Sequence, residues 1–139
     1  MKHELEDICR RYEAADLYVF GSRAGEVASL FNGSAEPPLP PGSDVDIGIR
    51  PASREPWNPR KRVQLTQELE DLFQVHRVDL VLLPEADPFL ALDIIRGELL
   101  YAQDLDEEAR YELFVLRRAG DLMPYKKERT RMILEEGAR

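Results

Sequence analysis

Two hydrophobic periods alternate along the chain. From Lys2 to Ala14, Leu5, Ile8, Cys9 and Tyr12 recur at i, i+3, i+4 and i+7, which predicts an amphipathic helix with Cys9 on its core side. Leu17-Tyr18-Val19-Phe20 is a short aromatic and β-branched run that stops at Gly21, and it reads as a buried strand. Gly21 to Phe31 opens with a Gly-Ser turn and then becomes helical. Residues 32–43, NGSAEPPLPPGS, hold four prolines and read as an inserted, partly polyproline-like loop. Val45, Ile47 and Ile49 then alternate with Asp44, Asp46 and Gly48, a period of two that predicts a strand.

Pro51 to Pro59 is a second proline-rich connection, with Trp57 inside it. Arg60 to Gln74 predicts a helix with Leu65, Leu69, Leu72 and Phe73 on one side. Val78 to Leu83, VDLVLL, is apolar on both faces apart from Asp79, which predicts a central strand covered on both sides. Pro84 ends it. Pro88 to Arg96 reads as a short helix that Gly97 breaks, and Glu98 to Tyr101 as an edge strand. Asp104 to Leu122 predicts a long helix capped by acids, and Lys126 to Glu136 another, so 104–139 forms a C-terminal helical segment. This order predicts an α/β (α+β) domain, a small mixed β-sheet flanked by helices, over residues 1–139.

Composition narrows the function. The chain has 139 residues, the size of one domain. One cysteine allows neither an internal disulfide nor a cysteine-based zinc site, and a reducing cytoplasm is the simplest compartment. The first residues, MKHELEDICRRYEAA, are charged and lack the apolar stretch of a secretion signal. No apolar run approaches the ~20 residues of a membrane span, so no membrane association is expected. Net charge is −8, which argues against direct duplex nucleic-acid binding. The charge is uneven: residues 117–139 carry +3 and the first 116 carry −11. The basic tail reads as a site for an anion, an acidic partner or RNA, or as a solvated helix face.

Three features carry candidate chemistry. Asp44 and Asp46, two apart on a strand, project to one face. If the Val78–Leu83 strand lies beside theirs, Asp79 completes a cluster of three carboxylates. A lone acid inside an apolar strand is costly unless it is paired or binds metal. Three clustered carboxylates repel unless protonation or a cation relieves them, and hard divalent ions with oxygen ligands do so best. Two such ions suit in-line transfer at phosphorus. Gly21-Ser22 adds a turn where a backbone approaches a phosphate closely, followed by the free N–H groups of a helix start, with Ser22 as a donor and Arg23 as a positive charge. His3 and His76 form neither a metal pair nor a triad with a nucleophile.

GSRAG, SDVDIGI and RVDLVLL, taken together and in this order, resemble the minimal nucleotidyltransferases (MNT) of the DNA polymerase beta-like superfamily. Many of these are MntA-like antitoxins paired with HEPN-domain RNase toxins. The resemblance implies the polymerase beta-like fold, a mixed sheet flanked by helices. It implies two Mg²⁺ ions, ATP as substrate, and AMP transfer to a hydroxyl, in the antitoxin branch a tyrosine of the toxin. Carried over by position, Gly21 and Ser22 would grip the triphosphate. Asp44 and Asp46 would bind both metals, and Asp79 would bind the metal nearest the acceptor and help deprotonate it. Twenty-one residues separate Ser22 from Asp44, against about ten in the usual pattern. The excess falls in the 32–43 loop, where insertion has a small closure cost.

Other readings of the same residues are a non-catalytic antitoxin of the same fold that only binds its toxin, and a small-molecule nucleotidyltransferase. A polymerase is disfavoured, since no thumb or template-binding region is present. Self-association and a hetero-oligomer with the toxin are both open at this level.

Overall fold

The computed structural model describes residues 1–33, 39–40 and 42–137. The chain runs α1 (Lys2–Arg11), β1 (Ala14–Phe20), α2 (Ala24–Phe31), β2 (Asp44–Pro51), α3 (Pro59–Phe73), β3 (Arg77–Leu82), a 3₁₀ turn (Leu83–Glu85), α4 (Pro88–Ile95), β4 (Glu98–Ala102) and α5 (Leu105–Gly137). Local chemistry sets several boundaries. Asn58 caps α3 by accepting from the Lys61 N–H, with Pro59 in the first turn. Asp87 caps α4 by accepting from Phe89 and Leu90, with Pro88 in the same place. The Asn-Pro and Asp-Pro pairs thus use one device: a side-chain acceptor for orphan amides, then a residue whose missing N–H costs nothing there.

Among the described residues the strands form one mixed sheet in the order β3-β2-β1-β4, with β2 and β3 parallel and the other pairs antiparallel. Alternation sends Leu17, Val19, Val45, Ile47, Ile49, Val78 and Leu82 to one face, where they pack with Leu5, Ile8 and Cys9 of α1, Val27 and Phe31 of α2, and Leu65 and Leu69 of α3. The other face carries Tyr18, with Leu92, Ile94 and Ile95 of α4 and Val115 and Ala119 of α5 around it. Gly48 is what lets α4 lie so close: a Cβ there would sit 2.4 Å from the Ile94 side chain. Cys9 is fully buried, and burial pushes its thiol up to about 12, so it is an inert core residue as its spacing predicts.

Three expectations change. Val78–Leu83 is not a central strand: among the described residues β3 pairs only with β2 and lies at the sheet edge. Its apolar character comes from helices on both faces rather than from two flanking strands, since Val78 and Leu82 join one core and Val81 the other. The C-terminal segment is one helix, not two. Pro124 lies inside α5 and removes a single backbone donor, and the helix continues past it. Ala14 begins β1 rather than ending α1. Of the 32–43 loop, residues 34–38 and 41 lie outside the described residues. Its near end is pinned: buried Ser43 donates to the Pro40 carbonyl, immediately before Asp44. No described helix is long and apolar enough to cross a membrane.

Candidate active site

The sheet register builds the site. Phe20, the last residue of β1, lies opposite Asp46 of β2, and Asp46 lies beside Asp79 of β3. One row across three strands therefore carries the β1 turn, Asp46 and Asp79 in succession. Asp44 lies two residues back on β2, on the same face as Asp46. That face is the one α4 and α5 cover further along, at Gly48 and Tyr18. At the acid end, among the described residues, the cover is thinner: Asp44 is exposed, and Asp46 and Asp79 are only partly covered.

Gly21 joins the turn to the acids. Its φ is +81°, a left-handed conformation that glycine adopts without strain, and a Cβ on it would lie 2.5 Å from Asp46 Oδ2. Any side chain at 21 would strike the central carboxylate. Ser22 is exposed beside it, and Arg23 precedes α2 with no side-chain cap; the Ala24 N–H turns back to the Gly21 carbonyl at 3.2 Å, so the Gly25 and Glu26 amides are the ones that could meet an incoming anion. The Arg23 guanidinium is engaged with Glu26, at 3.0 and 3.1 Å.

Electrostatically the cluster is under like-charge pressure. The Asp46 carboxyl is held above its ordinary value, first by partial burial and then by the neighbouring Asp79 and Asp44. Asp79 has a counter-ion that the sequence reading missed. Arg77 Nε lies 2.9 Å from Asp79 Oδ1. Arg77 is two residues before Asp79 on β3 and beside Asp44 in register, so its signal was the period of two already used for the aspartates. A groove of about 430 Å³ between α3 and β3 reaches Arg77 and Asp79 from the outer edge of the sheet. His3 and His76 are both exposed and lie outside the cluster.

The donor set is suited to a hard divalent ion: carboxylate oxygens only, from adjacent register positions, with their mutual repulsion relieved only in part by Arg77. Among the described residues no three carboxylates, imidazoles or thiolates already converge tightly enough to hold a metal ion. Asp79 would have to exchange Arg77 for the ion.

The polymerase beta nucleotidyltransferase family model matches residues 3–106, from α1 through β4 into the start of α5. The chain belongs to this nucleotidyltransferase family. The matched span includes Gly21, Ser22, Asp44, Asp46 and Asp79. No curated protein matches the chain in sequence. Solved structures of the same fold do. A mutant of the toxin–antitoxin complex MntA–HpeT is 20% identical, with a TM-score of 0.64 over 97% of each chain. A toxin–antitoxin structure with AMP-PNP is 21% identical, with a TM-score of 0.61 over 96% of each chain. A tri-AMPylated Shewanella oneidensis HEPN toxin in complex with its MNT antitoxin gives 20% identity and a TM-score of 0.60, over 96% of this chain and 93% of that one. At these identities the likeness shows a shared polymerase beta-like nucleotidyltransferase fold at nearly full length, including α5.

Proposed function

We propose that this family member transfers AMP from ATP to a hydroxyl, a tyrosine, of a partner HEPN toxin, and so acts as an antitoxin. The observation that carries the reading is the row Phe20–Asp46–Asp79, which sets two acids side by side at the Gly21-Ser22 turn, with Asp44 two residues back on the same face of β2. The neighbours include an AMPylated HEPN toxin and an AMP-PNP complex, which is the same chemistry on the same fold.

The roles follow from position. The Gly21 backbone, the Ser22 hydroxyl and the Gly25 and Glu26 amides of α2 hold the triphosphate. Asp44, Asp46 and Asp79 would hold Mg²⁺, as two ions, once Asp79 leaves Arg77. When bound, the ions neutralise the departing pyrophosphate and lower the pKa of the acceptor hydroxyl. A tyrosine hydroxyl titrates near pH ~10, so its proton needs a nearby base at neutral pH. Asp79 takes that proton, at the exposed edge strand where an acceptor can approach from outside. The acceptor oxygen attacks the α-phosphorus as the bond to the pyrophosphate oxygen breaks. The protein works in a reducing cytoplasm, consistent with its one free buried thiol.

Incubating the chain with a co-expressed HEPN toxin, ATP and Mg²⁺ and taking intact masses tests this. The toxin should gain one or more AMP units, and Asp79→Asn should add almost none. A toxin that is inhibited but unmodified would establish the binding-only antitoxin instead.

A further inference from the structure

We propose that the outer face of α5 is the docking surface for an amphipathic helix of the HEPN toxin, one that carries carboxylates beside its apolar seam. The proposal rests on the toxin being the partner and is independent of whether AMP is transferred.

α5 has two apolar faces. One belongs to the fold: Val115 and Ala119 are buried against α4 and the sheet. The other does not. Ala109, Leu113, Leu116, Gly120 and Met123 recur at spacings of four, three, four and three, an average of 3.5 residues, which is the period of a helix-pairing seam. Leu113 is 51% exposed and Leu116 is 43% exposed, so the fold leaves both leucines largely uncovered. Ala109 and Gly120 are exposed too, and a Cβ at Gly120 would meet nothing within 4 Å. Two leucines flanked by two small residues leave room for the knobs of a facing helix. Single exposed leucines are ordinary, but a seam in register is a binding surface.

The charges beside the seam choose the occupant. Arg110 and Arg117, one heptad apart and both exposed, line the same flank. A second copy of this chain packed antiparallel would set Arg110 of one protomer beside Arg117 of the other. A parallel copy would offer those two arginines only one carboxylate, the partly buried Glu112, and leave one guanidinium unpaired. Neither arrangement neutralises the flank. A helix with Asp or Glu along that edge does, and such charge pairs set partner choice and orientation in helix pairs.

The test is co-purification of full-length chain with co-expressed HEPN toxin, without added ATP. Wild type should retain the toxin. Leu113→Ser/Leu116→Ser and Arg110→Glu/Arg117→Glu should each retain at least ten-fold less, and raised salt should weaken wild-type retention. Asp44→Asn/Asp46→Asn should retain it fully, which separates docking from chemistry. Circular dichroism checks that the variants are folded. Equal retention by both α5 variants overturns the proposal while leaving the toxin as partner. No retention by wild type overturns the partner reading and this surface with it. A wild-type dimer, seen by sedimentation and abolished by the leucine variant, assigns the seam to a second copy and also overturns it.

Discussion

Two strands of this sheet carry the same local pattern, an acid before a leucine in an apolar run: Ala-Asp-Leu in β1 and Val-Asp-Leu in β3. Their aspartates have opposite fates. Asp16 lies opposite Arg50 on β2, whereas Asp79 lies beside Asp46 on the same strand. Asp16 is wholly buried, with Arg50 Nε on its Oδ2 at 2.5 Å. Arg50 in turn stacks over the Tyr111 ring, and next to them Tyr18 donates to buried Glu108 at 2.7 Å. Asp79 and Asp46 are half-covered and repel each other. β2 supplies both partners from one face, Asp44 and Asp46 at one end and Arg50 at the other, with Gly48 and α4 between. A buried acid with an opposite charge across the strand ties β1, β2 and α5 together. Acids set side by side at a partly covered sheet end raise one another instead of tying strands together.

The contrast is sharpest in stability. Arg50→Met leaves Asp16 buried without its counter-ion, a change that costs about 3–5 kcal/mol. Urea unfolding should show it. A loss under about 1 kcal/mol would mean that Asp16 is not held by charge. Next in size, Tyr18→Phe removes the donor to Glu108 and should cost about 1–3 kcal/mol. At the other end, Asp44→Asn/Asp46→Asn should leave the unfolding free energy within about 1 kcal/mol of wild type, because it removes repulsion as well as charge. AMP transfer by that variant should be undetectable. A large loss of stability there would make the acid pair structural and erase the difference between the two ends.

The smallest effect is a pH slope. Glu112 is raised from its ordinary value to about 7, first by its hydrogen bond to Glu108 and then by burial. A carboxyl raised in the fold contributes stability that is present below the unfolded value near 4.5 and is lost as pH rises through about 7. Thermal midpoints should therefore fall between about pH 5 and 7.5 in wild type, with a flatter profile in Glu112→Gln. Identical slopes in the two proteins would mean that the Glu112 carboxyl is not raised in the fold.

Much of the site was legible because it rests on short-range rules. The alternation of Asp44, Val45, Asp46 and Ile47 fixed which residues face together, and a glycine ending a strand marked the turn. What periodicity cannot carry is strand order. VDLVLL reads as central because helices bury both its faces, yet it has one neighbour. The same gap hid Asp16. Its pattern in β1 matches that of Asp79, and only the register, with Arg50 across from one and Asp46 beside the other, separates a structural acid from a candidate ligand. Arg77 shares Asp79's face by the same period of two, but a period does not tell which of two facing side chains will pair. The single α5 defied a proline and a glycine, since one missing hydrogen bond is a local cost that a long helix absorbs.

The central claim is that Asp44, Asp46 and Asp79 stand together to take a divalent ion and a nucleoside triphosphate. Titration calorimetry of wild type and of Asp44→Asn/Asp46→Asn with ATP, in Mg²⁺ and in excess chelator, measures it directly. Heat of binding should appear only for wild type and only with the ion present. Equal binding in chelator, or equal binding by the double variant, would contradict the account.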